Sequence, residues 1–267
     1  MIRPKEINAA AGKYRVKDSQ IEKDYVLSWL LYGISRSDVL SKILVFKGGT
    51  VLKKVYFEDY RFSEDLDFTL LDEKISDDDL LKGFEKVYAF VKEEANITVQ
   101  FKESEVHESS GSLVFYVNYI GPLQADIKSR DVKIDITRGE KMEFEIENRP
   151  VFREYSDMPE ELFLLQCYSL SEVLIEKMAA LMGRTQVRDL YDFWHLTENE
   201  QMSTNEHKPD FERKAINKKL NPNQFQEKIL GKEKNLKQAW QISLEDQIHD
   251  LPKFDDVFRE SKRHFKF

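Results

Sequence analysis

The stretch Ile43 to Leu71, ILVFKGGTVLKKVYFEDYRFSEDLDFTLL, constrains this chain more than any other. Its apolar run, Ile43–Phe46, reads as a short buried strand, and Gly48-Gly49 stops it. Paired glycines allow a sharp turn and let the backbone approach a ligand with no Cβ in the way. Thr50 then opens a helix-like segment to Phe57, whose free N–H groups face the same space. A helix N-terminus after a glycine turn suits an anion. Downstream, Ser63-Glu64-Asp65-Leu66-Asp67-Phe68 sets two carboxylates on alternate residues of a second apolar strand. A period of two points both to one face. Alone, a D-x-D commonly decorates a solvated strand end and a Gly-Gly is commonly a turn. In this order they instead give a phosphate cradle beside two same-facing carboxylates, the layout that metal-assisted phosphoryl or nucleotidyl transfer requires.

The flanking sequence supplies a frame for that unit. Ser19-Gln-Ile-Glu22 is a capping-box signature, and Ile21, Tyr25, Val26, Trp29 and Leu30 form a helical stripe running to about Gly33. Ser76-Asp-Asp-Asp79 is a second helix start, with acids suited to the helix dipole. Its buried stripe is Leu80, Leu81, Phe84, Val87, Tyr88 and Val91, ending near Asn96. The period then switches to two over Ile97–Phe101, Leu113–Tyr119, Val132–Ile136 and Met142–Ile146, predicting strands that extend the same sheet. Asp135 alternates with apolar neighbours and is a candidate third metal carboxylate on an adjacent strand; an exposed place on an edge strand is the competing reading. From Ser171 helices dominate, first Ser171–Met182, then Gln186–Leu196, then segments broken at Asn221-Pro222 and Leu251-Pro252. In the second of these, Arg188 and Asp192 are one helical turn apart and could pair with each other, and Arg188 and Asp189 could be helix-surface partners rather than members of a site. The class changes near Pro150 to Leu170, which divides the chain into residues 1–165 and 166–267.

Composition narrows the class. With 41% hydrophobic residues in 267, the chain can bury a sizeable core. No apolar run is long enough to span a membrane, and MIRPKEINAAAGKY lacks the apolar core of a secretory signal. One cysteine, Cys167, excludes a disulfide framework and fits a reducing compartment, so a cytoplasmic location is expected. A net charge of −8 argues against indiscriminate coating of nucleic acid. Arg213 to Lys237 is nevertheless rich in lysine and could hold one, with Arg259 to Lys266 as auxiliary; a solvated helix face is the bland alternative. The histidines lack metal-ligand spacing.

Five segments carry a resemblance: Ile21-Glu-Lys-Asp-Tyr25, Phe46-Lys-Gly-Gly-Thr50, Arg61-Phe-Ser-Glu-Asp-Leu-Asp-Phe68, Glu176-Lys177 and Arg188-Asp-Leu-Tyr-Asp192. Together they resemble the AbiEii/AbiGii toxin family of nucleotidyltransferase-like proteins, found in bacterial toxin–antitoxin and abortive-infection systems. The likeness implies an α+β fold, a polymerase-β-type nucleotidyltransferase core with a mixed sheet followed by a C-terminal helical domain. It implies a Mg²⁺-dependent enzyme acting on a nucleoside triphosphate. Gly48, Gly49, Thr50 and Ser63 would lie at the nucleotide, Asp65 and Asp67 would hold Mg²⁺ with Asp135 as the candidate third ligand. Lys177 would contact the triphosphate and Asp192 would be the late acidic residue of the site. The implied acceptor is the tRNA 3′ end, and the implied partner is an antitoxin encoded alongside that need not touch the toxin, in a phage-defence role. Two other readings stay open: a non-catalytic, nucleotide-binding regulator, and a nucleotidyltransferase that modifies a small molecule or a protein.

Overall fold

The computed structural model describes residues 1–106 and 111–266. It divides into two compact units: residues Met1–Glu140 with Ile146–Cys167, and Lys141–Glu145 with Tyr168–Phe267. The fold class is α+β, as expected. Among the described residues no helix is long and apolar enough to cross a membrane.

The first unit runs α1 (Pro4–Tyr14), α2 (Asp18–Ser35), α3 (Leu40–Ile43), β1 (Leu44–Lys47), α4 (Gly48–Val51), a π-helical turn (Leu52–Tyr56) and β2 (Asp65–Leu70). It continues through α5 (Asp77–Ala95), β3 (Thr98–Val106), β4 (Leu113–Ile120), β5 (Asp131–Thr137), β6 (Glu147–Pro150) and β7 (Leu164–Cys167). The seven strands form one mixed sheet in the order β3-β4-β5-β2-β1-β7-β6. β1 lies antiparallel to β2 and parallel to β7, while β2 lies parallel to β5. Alternation assigns the faces. Phe46, Phe68, Ile134, Ile136 and Phe115 are all buried, the Phe46 and Phe68 rings 5.5 Å apart and Phe115 edge-on to Phe84 of α5 at 5.0 Å. The residues between them, Lys47, Asp65, Asp67, Lys133 and Asp135, therefore stand on the other face.

Three local expectations are corrected. Helix α2 begins at Asp18 with Lys17 at its N-cap, so Ser19 and Glu22 make no capping box. Glu22 is instead fully buried, accepting from Leu123 N at 2.6 Å and pairing with Arg130 at 2.9 Å. The helix after the glycine turn begins at Gly48 rather than Thr50 and finishes as a π turn. No strand forms over residues 142–146; the nearby strand is β6, four residues at the sheet edge. The Glu143 and Phe144 amides donate to Glu172 Oε2 at 2.7 and 2.9 Å, which diverts this backbone from any ladder.

The second unit contains α6 (Leu170–Gly183), α7 (Val187–Trp194) with a π turn (His195–Asn199), α8 (Lys208–Asn217), α9 (Phe225–Leu230), α10 (Glu233–Leu244) and α11 (Phe254–Ser261). Its core is aromatic: Phe193, Phe211, Phe225, Phe258 and Phe265 are buried, with Phe211 edge-on to Phe225 at 5.0 Å. Ser169 caps α6 by accepting from Glu172 N. At the other end, the Lys232 ammonium donates to the carbonyls of Leu181, Met182 and Arg184 at 2.6–2.9 Å, satisfying oxygens that the helix leaves unpaired.

Candidate functional site

The site of the first unit is built at the C-terminal end of β1. Gly48 has φ +80, a region that side chains other than glycine rarely adopt. A Cβ placed on it would collide with Asp67 Oδ2 and lie 3.0 Å from Asp67 Cγ. Glycine is therefore required twice over, by the backbone angle and by the approach of the carboxylate. Thr50 is buried, its hydroxyl 2.7 Å from Ser63 Oγ and 2.5 Å from the Asp65 carbonyl oxygen. That link ties the first helical turn to the start of β2, and it brings Gly48, Gly49, Thr50, Ser63, Asp65 and Asp67 into one neighbourhood.

Register completes the face. Lys47 is directly opposite Asp67 across the antiparallel pair. Across the parallel pair Lys133 is opposite Asp65 and Asp135 opposite Asp67. β5 is an interior strand, so Asp135 does not occupy an exposed edge position. It pairs instead with Lys133 at 3.1 Å. Burial and the neighbouring Asp65 carboxylate push the Asp67 carboxyl up to about 6, with Asp135 adding to the rise and Lys47 and Lys133 opposing it. The face carries more negative charge than it can comfortably hold. Among the described residues no group of three or more His, Cys, Asp or Glu side chains is gathered to hold a metal ion.

A divalent cation fits nonetheless through Asp65 and Asp67. Hard carboxylate oxygens are the donors Mg²⁺ takes, and it commonly uses one or two of them together with substrate phosphates. The glycine at position 48 leaves room for the Asp67 carboxylate where a methyl group would otherwise collide with it.

Behind this face lies a buried ion network that the sequence does not reveal. Lys54, fully buried in the π turn, donates to Asp24 Oδ2 at 2.6 Å, to Ser28 Oγ at 2.9 Å and to Glu154. Lys53 donates to the Glu58 carbonyl at 2.6 Å and to Glu154 Oε1 at 2.5 Å. Tyr155 donates to Asp24 at 2.7 Å. Burial disfavours the Lys54 charge, but Asp24 and Glu154 outweigh it and hold the ammonium above its ordinary range. The network fastens the glycine-led helix to α2, which gives Asp24 of the Ile21–Tyr25 segment a physical purpose. Its sequence signal is slight: a charged residue one turn from apolar neighbours.

The second unit gathers Lys177, Asp189, Asp192 and Arg184. Lys177 is 6% exposed and its ammonium lies 2.9 Å from Asp189 and 2.7 Å from Asp192. It is not a solvated helix lysine. Arg184 binds Asp189 in a fork at 2.7 and 3.1 Å. Burial alone would raise the Asp189 carboxyl, but Lys177 and Arg184 outweigh it and hold it below the usual carboxylate range. The expected helix-surface place of Asp189 is corrected: it is 1% exposed and belongs to the cluster.

The lysine-rich stretch is corrected in part. Lys214 is fully buried, donating to Glu172 Oε1 and the Lys141 carbonyl at 2.8 Å each. Arg213 pairs with Glu143 and Asp210, and Lys237 with Asp255. Lys218, Lys219, Lys228 and Lys234 are exposed. Cys167 is buried, and burial raises its thiol to about 11, as befits a core residue.

A family model described as "Nucleotidyl transferase AbiEii toxin, Type IV TA system" matches residues 29–260. No curated protein matches the sequence significantly. Among solved structures, MenT4, a nucleotidyltransferase toxin from Mycobacterium tuberculosis, superposes with a TM-score of 0.68 at 16% identity, over 100% of this chain and 89% of that one. JHP933 from Helicobacter pylori gives 0.55 at 16% identity, over 94% and 92%. At such identities the likeness speaks to the fold.

Proposed function

Since this chain belongs to the AbiEii family of nucleotidyl transferase toxins of type IV toxin–antitoxin systems, we propose that it is a Mg²⁺-dependent nucleotidyltransferase. It takes a nucleoside triphosphate and transfers the nucleotide to the 3′ end of tRNA, in the cytoplasm, with a cognate antitoxin encoded beside it and a role in abortive infection. The observation that carries the reading is the approach of Gly48 to Asp67 on a sheet face where Asp65, Asp67 and Asp135 stand together.

Asp65 and Asp67 are the residues to hold the ion, with Asp135 as a further ligand. When bound, the ion supplies charge neutralisation on the triphosphate as the acceptor hydroxyl displaces pyrophosphate. The chain's own residues position the reactants. Gly48 and Gly49 let the phosphates approach the backbone, and Thr50 and Ser63 hold the turn against β2. The Asp24–Lys54–Glu154 network keeps that helix from shifting. We carry the family roles of the second unit over as proposals in their own right: Lys177 as a triphosphate contact, and Asp192, 2.7 Å from its ammonium, as the late acidic residue of the site.

The test follows an α-phosphate radiolabel. Incubated with each labelled triphosphate, Mg²⁺ and total tRNA, the protein is expected to move label to tRNA 3′ ends, and Asp67→Asn is expected to abolish this. Label on protein or on a small molecule refutes the tRNA acceptor. Tight nucleotide binding with no transfer to any acceptor supports the regulatory alternative instead.

A further inference from the structure

The acidic face carries its own cations, and their exposure differs. Lys47, opposite Asp67, is 6% exposed. Lys133 stands opposite Asp65 and two residues from Asp135 on the same face, with its ammonium 3.1 Å from Asp135 Oδ2. The two side chains of that pair are 33% and 22% exposed, so both reach solvent from the sheet face. An ordinary surface ion pair at that exposure contributes little to stability. This one occupies the carboxylate next to Asp67 and neutralises it.

We propose that Lys133 is an internal counter-cation that holds Asp135 while no divalent ion is present and competes with the ion for that carboxylate. The inference rests on the metal-dependent reading above. An ammonium at hydrogen-bond distance fills one lone-pair direction of Asp135 and repels a second cation. A flexible four-carbon stem lets Lys133 withdraw into solvent, an option that the buried Lys47 lacks. Lys133 thereby offsets part of the negative charge of the face, and Asp135 becomes a ligand only after Lys133 has left it. This accounts for a third carboxylate that stands in register with Asp67 yet is paired with a lysine of its own strand.

The experiment titrates Mn²⁺ alone into the full chain and follows free Mn²⁺ by electron paramagnetic resonance. A unit charge about 6 Å from a divalent ion in a water-like dielectric corresponds to about tenfold in Kd. Lys133→Met is therefore expected to bind Mn²⁺ about tenfold more tightly than wild type. Lys133→Arg, which keeps the charge, is expected to match wild type. Lys133→Met combined with Asp135→Asn is expected to lose most of the gain. Equal or weaker binding by Lys133→Met overturns the proposal, as does a gain that survives Asp135→Asn. A tighter Lys133→Arg overturns it too, because the effect then does not follow the charge. If wild type binds Mn²⁺ and Asp67→Asn does not, the underlying metal reading stands whatever the Lys133 variants do. If wild type and Lys133→Met both bind none, both readings fall.

Discussion

Asp67→Asn isolates the electrostatic cost of the acidic face. In the folded chain the Asp67 carboxyl is raised to about 6, from 3.8, chiefly by burial and by Asp65. A raised carboxyl binds its proton more tightly in the native state than in the unfolded one. Between these two values the native state holds more protons, so stability falls as pH rises through the window and then levels off. Asparagine removes that penalty. The stability of Asp67→Asn relative to wild type should therefore grow with pH, by about 2 kcal/mol between pH 4.5 and 8, from 1.4 kcal/mol per pKa unit. The measurement is urea unfolding in chelator, read by Trp29 in a Trp194→Phe, Trp240→Phe background. Trp29 is buried in α2 of the first unit, and the chain has 3 tryptophans, so its emission then reports on that unit alone. Saturating Mg²⁺ with a triphosphate should reverse the order, stabilising wild type and not the variant. A relative stability that is flat across this pH range would refute the assignment of excess negative charge to Asp67.

Three further outcomes are expected. Gly48→Ala should cost about 1–3 kcal/mol in the same Trp29 assay, from left-handed backbone strain and collision with Asp67; an unchanged midpoint would mean the turn relaxes freely. Lys177→Met should destabilise the second unit by about 3–5 kcal/mol, because it strips an ammonium from two buried carboxylates. Calorimetry of the same variant, with a triphosphate that wild type binds, tests its phosphate role, which fails if affinity is unchanged. Reversing Lys218, Lys219 and Lys228 to Glu should weaken tRNA binding and flatten its salt dependence by about one unit for each phosphate no longer neutralised. Lys214 is unsuitable for that series, since a glutamate there would face buried Glu172; a wild-type slope in the triple variant removes this surface from acceptor binding.

What the sequence made legible was whatever depends on neighbours within a few residues. The turn at Gly48, the alternation of Asp65 and Asp67, and the apolar flanks of Asp135 are local patterns, and the three carboxylates sit on the sheet face that a period of two required. Register is not local. That Lys133 faces Asp65, or that Lys47 faces Asp67, depends on which strands become neighbours. The misread segment 142–146 alternates like a strand, but the buried Glu172 carboxylate captures its amides. Lys214 and Asp189 look like helix-surface charges because buried ion pairs leave no trace in hydrophobic period. Four-residue strands such as β6 and β7 are too short to show a period of two against their surroundings.

The pairing of β1 with β7 also bears on how the protein is made. Phe46 is matched with Cys167, 121 positions later in the chain (167 − 46). At about 5–20 residues per second, β1 waits roughly 6 to 24 s on the ribosome for that neighbour. During the interval one edge of the strand that leads into Gly48 has no ladder partner from β7, and pairing across so long a loop is intrinsically slow. A nascent chain of this kind exposes an apolar edge, LVF, just where unwanted strand addition is most damaging. The strand that leads into Gly48 therefore has both of its sheet neighbours only once residue 167 has been made.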